Sequence, residues 1–205
     1  GDARGVAAGT GAIIARDAKS AWIVTCSHVA MPYAAVGAFR RAAEARPVWV
    51  QLSDGSAALS TVRWAAPPPL DVALIQAPIA GAPQPVDISP GTEELAMGKE
   101  VMFVPNPYRD GWRLHRGTVV SRDRHHTPSG VFDLVVTNLP VQPGDSGSGL
   151  FDERGLLVGL NTWLARTEGG AVGISLPSEA LRAIVDAIAR DQLDALDDVM
   201  QRSLP

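Results

Sequence analysis

The chain has 205 residues, room for one domain or two small subdomains, and its 46% hydrophobic and 20% charged content is that of a soluble globular protein. A net charge of −4 gives no basic footprint, which argues against nucleic acid as a partner. The single cysteine, Cys26, excludes an intramolecular disulfide and argues against a small disulfide-stapled secreted scaffold, leaving cytoplasmic and bacterial extracytoplasmic compartments both open.

The chain starts at Gly1 rather than Met, as expected where a leader or a preceding domain has been removed. Strand-length apolar runs, most of them rich in Val and Ile, then follow at 11–15, 21–25, 48–52, 72–76, 101–105, 117–120, 132–137, 156–162 and 171–176. The longest stretch without Asp, Glu, Lys or Arg, residues 20–39, contains Ser, Thr, His and Pro. It reads as a buried strand plus a loop, not a membrane span. Asp54-Gly55 after Val48–Leu52 is a hairpin turn, and Asp110-Gly111 and Arg154-Gly155 read as further reversals. A proline-rich connector at 77–90 divides the strands into two β halves. From Ser178, a plausible N-cap, Leu181, Ile184, Val185 and Ile188 recur at helical spacing, with Glu179 placed to favour the helix dipole. The acidic tail after Arg190 reads as a solvated helix face, with a lead-in to a further domain beyond Pro205 as the alternative. The five tryptophans are expected mostly in barrel packing. Together these elements predict an all-β, two-barrel architecture with a C-terminal α-helix: one domain, 1–205, with subdomains at 6–85, 90–177 and 178–200.

One stretch carries more than architecture. Gln142-Pro143-Gly144-Asp145-Ser146-Gly147-Ser148-Gly149-Leu150 is by itself equally a flexible turn or a cradle for a nucleophile. Acyl transfer by a serine needs an imidazole base, a carboxylate that orients it, and donors aimed at the developing oxyanion. The chain has four histidines, His28, His115, His125 and His126, and all precede Ser146. An order of Ser, acid, His is thereby excluded, and Ser148 breaks the G-x-S-x-G elbow pattern. The order His, Asp, Ser remains open. His28 follows an apolar strand, and Asp71 heads a fully apolar run where a carboxylate can be held near the core. With His28 and Asp71 in the first half and Ser146 in the second, a site at the interface of two barrels follows.

The segments Val24-Thr25-Cys26-Ser27-His28-Val29-Ala30, Leu70-Asp71-Val72-Ala73-Leu74-Ile75-Gln76 and Pro143-Gly144-Asp145-Ser146-Gly147-Ser148-Gly149-Leu150 resemble the His, Asp and Ser motifs of trypsin-like serine proteases. The likeness is closer to the bacterial HtrA/Deg type and runs from about Gly9 to Ile188. It implies two six-stranded antiparallel β-barrels of the chymotrypsin type, with Ser146 as nucleophile, His28 as general base and then acid, and Asp71 as its orienting partner. The N–H groups of Gly144 and Ser146 would form the oxyanion hole, and Gly144 suits the tight turn that points amides into one concavity. Val141, Thr162, Trp163 and Gly173 would line the primary pocket, which predicts small or medium aliphatic substrate residues. A substrate strand would pair with an edge near residues 160–163.

The departures are specific. Ser148 stands where a second glycine is usual and reads as a hydrogen-bonded turn serine. The new amine that pairs with the Asp145 counterpart in trypsin-like zymogens has no equivalent in the Gly1–Gly11 segment, so Asp145 needs another cation or solvent. Residues 31–47 look longer than the HtrA-type equivalent and read as an insertion, with Phe39 and Arg40-Arg41 as possible barrel cap, shield or partner contact. His125-His126 reads as a loop on the second barrel, with no metal site. The expectation is thus a cofactor-free serine endopeptidase acting on protein or peptide. The alternatives are a regulatory protease module cutting one partner and an inactive binding scaffold, with homo-oligomerisation open.

Overall fold

A computed structural model of the chain describes residues 8–31, 40–41, 47–66, 68, 70–92, 95–107, 111–127, 130–167 and 170–196. The first six strands are β1 (Ala12–Arg16), β2 (Ala21–Cys26), β3 (Arg40–Arg41), β4 (Pro47–Gln51), β5 (Ala57–Ala66) and β6 (Val72–Ala77). They form one six-stranded sheet in the order β1-β2-β6-β5-β3, with β4 also paired to β5. Central β2 shows no polar alternation because it is buried along its whole length, and β6 nearly so. Strand β5 alternates instead: Ser60, Val62 and Trp64 point inward while Leu59, Thr61 and Arg63 face solvent. The connector expected at 77–90 covers the free edge of β1, where the Val86 N–H donates to the Ile13 carbonyl at 2.9 Å.

The second six strands are β7 (Glu100–Phe103), β8 (His115–Thr127), β9 (Gly130–Thr137), β10 (Gly149–Asp152), β11 (Leu157–Thr167) and β12 (Gly170–Pro177). They close by hydrogen bonds into a barrel in the order β10-β11-β12-β9-β8-β7. Its interior holds Val101, Phe103, Val119, Val135, Leu139, Leu150 and Val158. The architecture is the expected pair of six-stranded antiparallel units. Among the described residues the first unit remains an open sheet while the second is fully closed.

The largest apolar cluster belongs to neither unit alone. Trp22, Trp64, Leu70 and Leu74 of the first half pack with Leu157, Leu160 and Leu176 of the second. Helix α2 (Ser178–Ala189; α1 is the short turn Ser27–Ala30) lays Leu181 and Ile184 on the same cluster. Full burial of one such Leu or Ile side chain contributes about 1.5–3 kcal/mol, so this shared core ties the halves together. Ser178 is the first helical residue rather than the cap; extended Pro177 precedes it without a side-chain cap. Glu179 accepts the N–H and hydroxyl of Thr92 at 2.7 and 2.8 Å, tying the helix start to the segment that follows the connector.

Several local expectations change. Only Trp22 and Trp64 are buried; Trp49 and Trp112 are 58% and 47% exposed, because β4 and the segment before β8 turn those positions to solvent. His125 and His126 lie in the β8–β9 ladder opposite Phe132 and Val131, not in a loop. The helix ends at Ala189 and is followed by a 3₁₀ turn at Leu193–Ala195. Within the presumed insertion, Arg40 and Arg41 pair with Ala65 and Trp64 of β5, extending the sheet. Phe39 lies outside the described residues.

Candidate active site

Strand register brings His28 and Asp71 together across 43 residues of chain. Cys26 at the end of β2 pairs with Val72 at the start of β6, and the Ser27 N–H continues the ladder to the Asp71 carbonyl at 3.1 Å. The chain then turns through α1, which carries His28 over the Asp71 carboxylate. Asp71 Oδ2 lies 2.6 Å from His28 Nδ1. Oδ1 accepts the Ser27 hydroxyl at 2.6 Å and the His28 N–H at 3.0 Å. Asp71 is wholly buried and holds a left-handed backbone, φ 50°, which costs about 1–3 kcal/mol for a non-glycine residue. Charge-assisted hydrogen bonds of this kind offset that strain. With Asp71 ionised, Nδ1 carries the proton and Nε2 keeps its lone pair.

Ser146 arrives from the second barrel on the loop between β9 and β10. Backbone stitches fix its place against the first half. The Thr10 N–H donates to the Ser146 carbonyl at 2.9 Å, and the Thr25 hydroxyl donates to the Thr10 carbonyl at 2.6 Å. A Cβ on Gly147 would lie 2.2 Å from both the Thr10 carbonyl and Thr25 Oγ1, and 3.1 Å from the Cys26 nitrogen. The Gly144–Ser148 loop therefore presses on the end of β2, two residues from His28. Gly9 supplies a second close approach: a Cβ there would meet Val29, the residue after His28, at 2.7 Å and the Ser146 carbonyl at 2.8 Å.

The loop sorts its own amides. The N–H groups of Asp145, Gly147 and Ser148 donate to Gln142, Asn161 and Asp145 carbonyls at 3.0, 2.8 and 3.0 Å. Among the described residues, those of Gly144 and Ser146 have no hydrogen-bond partner. Gly144 and Gly147 sit at φ 100° and 85°, a backbone that alternates amide direction along the loop.

Beside Ser146 lies a cleft of about 200 Å³ lined by Val141, Gln142, Pro143, Ser146, Asn161, Thr162, Trp163 and Leu164. None of these side chains is charged. Of the four expected pocket residues, Val141, Thr162 and Trp163 line the cleft. Gly173 stands behind it, where a Cβ would lie 2.7 Å from Val141 Cγ2. Strand β10 begins at Gly149 opposite Leu160, and the loop before it still bonds Asn161 through Gly147 and Ser148; past Asn161, β11 has a strand partner among the described residues only on its β12 side.

Asn161 went unnoticed at the level of sequence. It is fully buried; its Nδ2 donates to Ser148 Oγ at 2.9 Å and its Oδ1 accepts the Ser175 hydroxyl at 2.7 Å. Its carbonyl takes the Gly147 N–H and, at 3.3 Å, Cys26 Sγ. Ser148 is thus a hydrogen-bonded serine, partnered by an amide rather than by its own turn. A polar residue inside the apolar run 156–162 was the signal available for Asn161. Ser27 gave no such signal, since its role depends on the β2–β6 register.

Cys26 Sγ, His28 and Asp71 bring potential metal-ligand atoms within 4.8 Å of one another. The 2.6 Å His28–Asp71 separation is a hydrogen bond, shorter than the roughly 3.3 Å between two ligand atoms on a tetrahedral zinc with bonds of about 2.0 Å. Burial pushes the Cys26 thiol well up, and the Asp71 charge adds to that, so it stays protonated. The His28–Asp71 pair is thus joined by a hydrogen bond rather than spaced as two ligands of one ion.

Comparison with known proteins gives a consistent picture. The family model for the trypsin-like peptidase domain matches residues 9–160. A probable periplasmic serine endoprotease, DegP-like, from Ectopseudomonas mendocina is 27% identical over 185 residues, which is 89% of this chain and 35% of that protein. The chloroplastic Protease Do-like 1 of Arabidopsis thaliana is 31% identical over 114 residues, covering 53% of this chain and 25% of that protein. The chain thus spans no more than 35% of either relative. Among solved structures, the HtrA-type protease AlgW with decapeptide superposes with a TM-score of 0.68 at 21% identity, over 90% of this chain and 52% of that one. The serine endoprotease from Yersinia pestis gives 0.66 at 21% identity, over 89% and 58%. Both share the fold.

Proposed function

Because the chain belongs to the trypsin-like peptidase family, with HtrA-type serine proteases among its relatives, we propose that it is a serine endopeptidase working through His28, Asp71 and Ser146 as a single protease domain. The observation that carries this reading is the buried Asp71 carboxylate, 2.6 Å from His28 Nδ1, beside a loop that delivers Ser146. Asp71 fixes the imidazole so that Nε2 faces outward as a base. Ser146 Oγ attacks the substrate carbonyl carbon as its proton passes to Nε2. The tetrahedral oxyanion accepts hydrogen bonds from the N–H groups of Gly144 and Ser146, the two loop amides left unengaged by the described residues. Imidazolium then gives the proton to the leaving amine, the C–N bond breaks, and an acyl-enzyme remains. Water, deprotonated by His28, hydrolyses it and restores Ser146. Each oxyanion donor contributes about 2.7–4 kcal/mol to the barrier reduction, so the loop's shape matters as much as its hydroxyl.

The uncharged cleft supports cleavage after small or medium aliphatic residues, since it offers no counter-charge to Lys, Arg, Asp or Glu. The β11 edge beyond Asn161 suits an extended substrate segment added as a strand. Wild-type protein and Ser146→Ala are compared with a fluorophosphonate probe and an unfolded protein substrate. Wild type is expected to label and cleave, and Ser146→Ala to do neither. A wild type inert in both assays leaves a binding scaffold; labelling that persists in Ser146→Ala moves the nucleophile elsewhere. Sequencing of the cleavage sites tests specificity: cuts clustered after Lys, Arg, Asp or Glu would overturn the aliphatic preference.

A further inference from the structure

Ser27, the residue before His28, is fully buried and held at three points. Its N–H donates to the Asp71 carbonyl at 3.1 Å, its carbonyl accepts the Met31 N–H at 2.8 Å, and its hydroxyl donates to Asp71 Oδ1 at 2.6 Å. Serine is favoured at helix starts because its oxygen can cap the first N–H groups. Ser27 is the first residue of α1, yet α1 begins without a side-chain cap. The hydroxyl is committed to the carboxylate instead, at a length typical of a charge-assisted O–H···O⁻ bond.

The donors that converge on Asp71 divide its oxygens. Oδ1 takes the Ser27 hydroxyl and the His28 N–H, and Oδ2 is left for His28 Nδ1 at 2.6 Å. A carboxylate turned about its Cβ–Cγ bond would lose both Oδ1 bonds, so the plane of the group is set by contacts other than the imidazole. Around His28, Cys26 comes from the end of β2 and Asp71 from the residue before β6, with potential ligand atoms of all three within 4.8 Å of one another. Burial keeps the Cys26 thiol protonated. On β5, which also packs on α1, Arg63 donates to Gln76 at the exposed surface; on the facing loop Asp145 accepts the Gln142 N–H.

We propose that Ser27 is a positioning residue for the reaction: its hydroxyl locks the plane of the Asp71 carboxylate so that Oδ2 stays on His28 Nδ1, and it shares the negative charge that the imidazolium would otherwise face alone. The base and its carboxylate thereby gain a third member from the residue next to the base itself. This inference rests on the protease reading, and its test separates the two. In the Ser146→Ala protein, the imidazole resonances of His28 are followed by NMR against pH with Ser27 present and with Ser27→Ala. Loss of the hydroxyl leaves more of the carboxylate charge to the imidazole, so the titration midpoint is expected to move to higher pH by about half a unit or more. A midpoint that stays or falls overturns the proposal whether or not the protein is a protease.

In active protein, Ser27→Ala is expected to lower kcat about tenfold with KM little changed, the factor that one charge-assisted hydrogen bond carries. The low-pH limb of kcat/KM is expected to move upward with the NMR midpoint. Fluorophosphonate labelling rates then compare two backgrounds: with Asp71 present Ser27→Ala slows labelling about tenfold, and with Asp71→Asn the same substitution costs less than about twofold. An equal loss in both backgrounds, or a raised KM with kcat intact, assigns Ser27 to packing and overturns the proposal. A wild type that the fluorophosphonate probe does not label overturns the protease reading instead.

Discussion

Replacing Asn161 with alanine separates the architecture beneath the loop from the chemistry above it. The Asn161 amide is buried between two serine hydroxyls that are buried too, Ser148 on the nucleophile loop and Ser175 on β12. Truncation removes two hydrogen bonds worth about 1 kcal/mol each and leaves two hydroxyls unsatisfied at about 1–3 kcal/mol each, partly relieved when they rotate or take water. A net loss of about 2–5 kcal/mol follows, a large share of the usual 5–15 kcal/mol. At about 2–4 °C per kcal/mol for a chain of this size, thermal unfolding should fall by about 4–20 °C. Scanning calorimetry reads this directly. The cycle with Ser148→Ala sharpens it, because removing both partners costs less than the sum of the two single changes. A melting drop below about 2 °C, or strict additivity in that cycle, would refute the reasoning.

Asp71→Asn keeps the shape of the site but reverses the proton demand at His28 Nδ1, and kcat should fall about 10⁴-fold in steady-state peptide assays; a loss under tenfold would remove Asp71 from the mechanism. Gly147→Ala places a methyl 2.2 Å from two oxygens at φ 85°. Fluorophosphonate labelling of Ser146 should slow by about 100-fold or more, and normal labelling would show that the loop has another seat. Gly173→Val crowds Val141 and should narrow the cleft, lowering kcat/KM for a leucyl substrate about 10–200-fold relative to an alanyl one. Unchanged discrimination would place the pocket elsewhere. For Asp145, burial raises the native pKa above its unfolded value near 4, so the folded protein holds more protons between those two values. Its contribution to stability therefore declines as pH rises through that window. The melting temperature of Asp145→Asn relative to wild type should climb from pH 4 to pH 7, and a constant difference would count against it.

What the sequence made legible follows from where the signal is local. Each of the nine apolar runs lies on a strand of the same half, because Val- and Ile-rich segments between glycine and proline punctuation carry their own instruction. Strand β5 escaped this reading, since its alanines, serine, threonine and arginine look unremarkable until β6 pairs alongside. Strand β10 was hidden inside the Gly-Ser run of the nucleophile loop. The order of His28, Asp71 and Ser146 needed only counting, whereas Ser27, Asn161 and Thr10 act through partners far along the chain. Ser27 meets Asp71 44 residues away and Thr10 meets Gly144 134 residues away, distances that no periodicity encodes.

These long-range contacts share a location, and it bears on how the site comes to exist. Thr10 receives the Thr25 hydroxyl on its carbonyl, gives its N–H to Ser146, and accepts the Asn106 N–H on its own hydroxyl at 3.3 Å. Cys26 reaches the Asn161 carbonyl that also holds Gly147. Every one of these bonds crosses from the first unit to the second or supports one that does. The His28–Asp71 pair is complete within the first sheet, and the amide pattern of the Gly144–Ser148 loop is largely complete within the second barrel. In the proposed mechanism neither half suffices, because His28 belongs to the first unit and Ser146 to the second, whose loop packs against the end of β2. The shared core of Trp64, Leu74, Leu160 and Leu181 packs the two units against each other, so under the proposed mechanism it holds base and nucleophile in one frame.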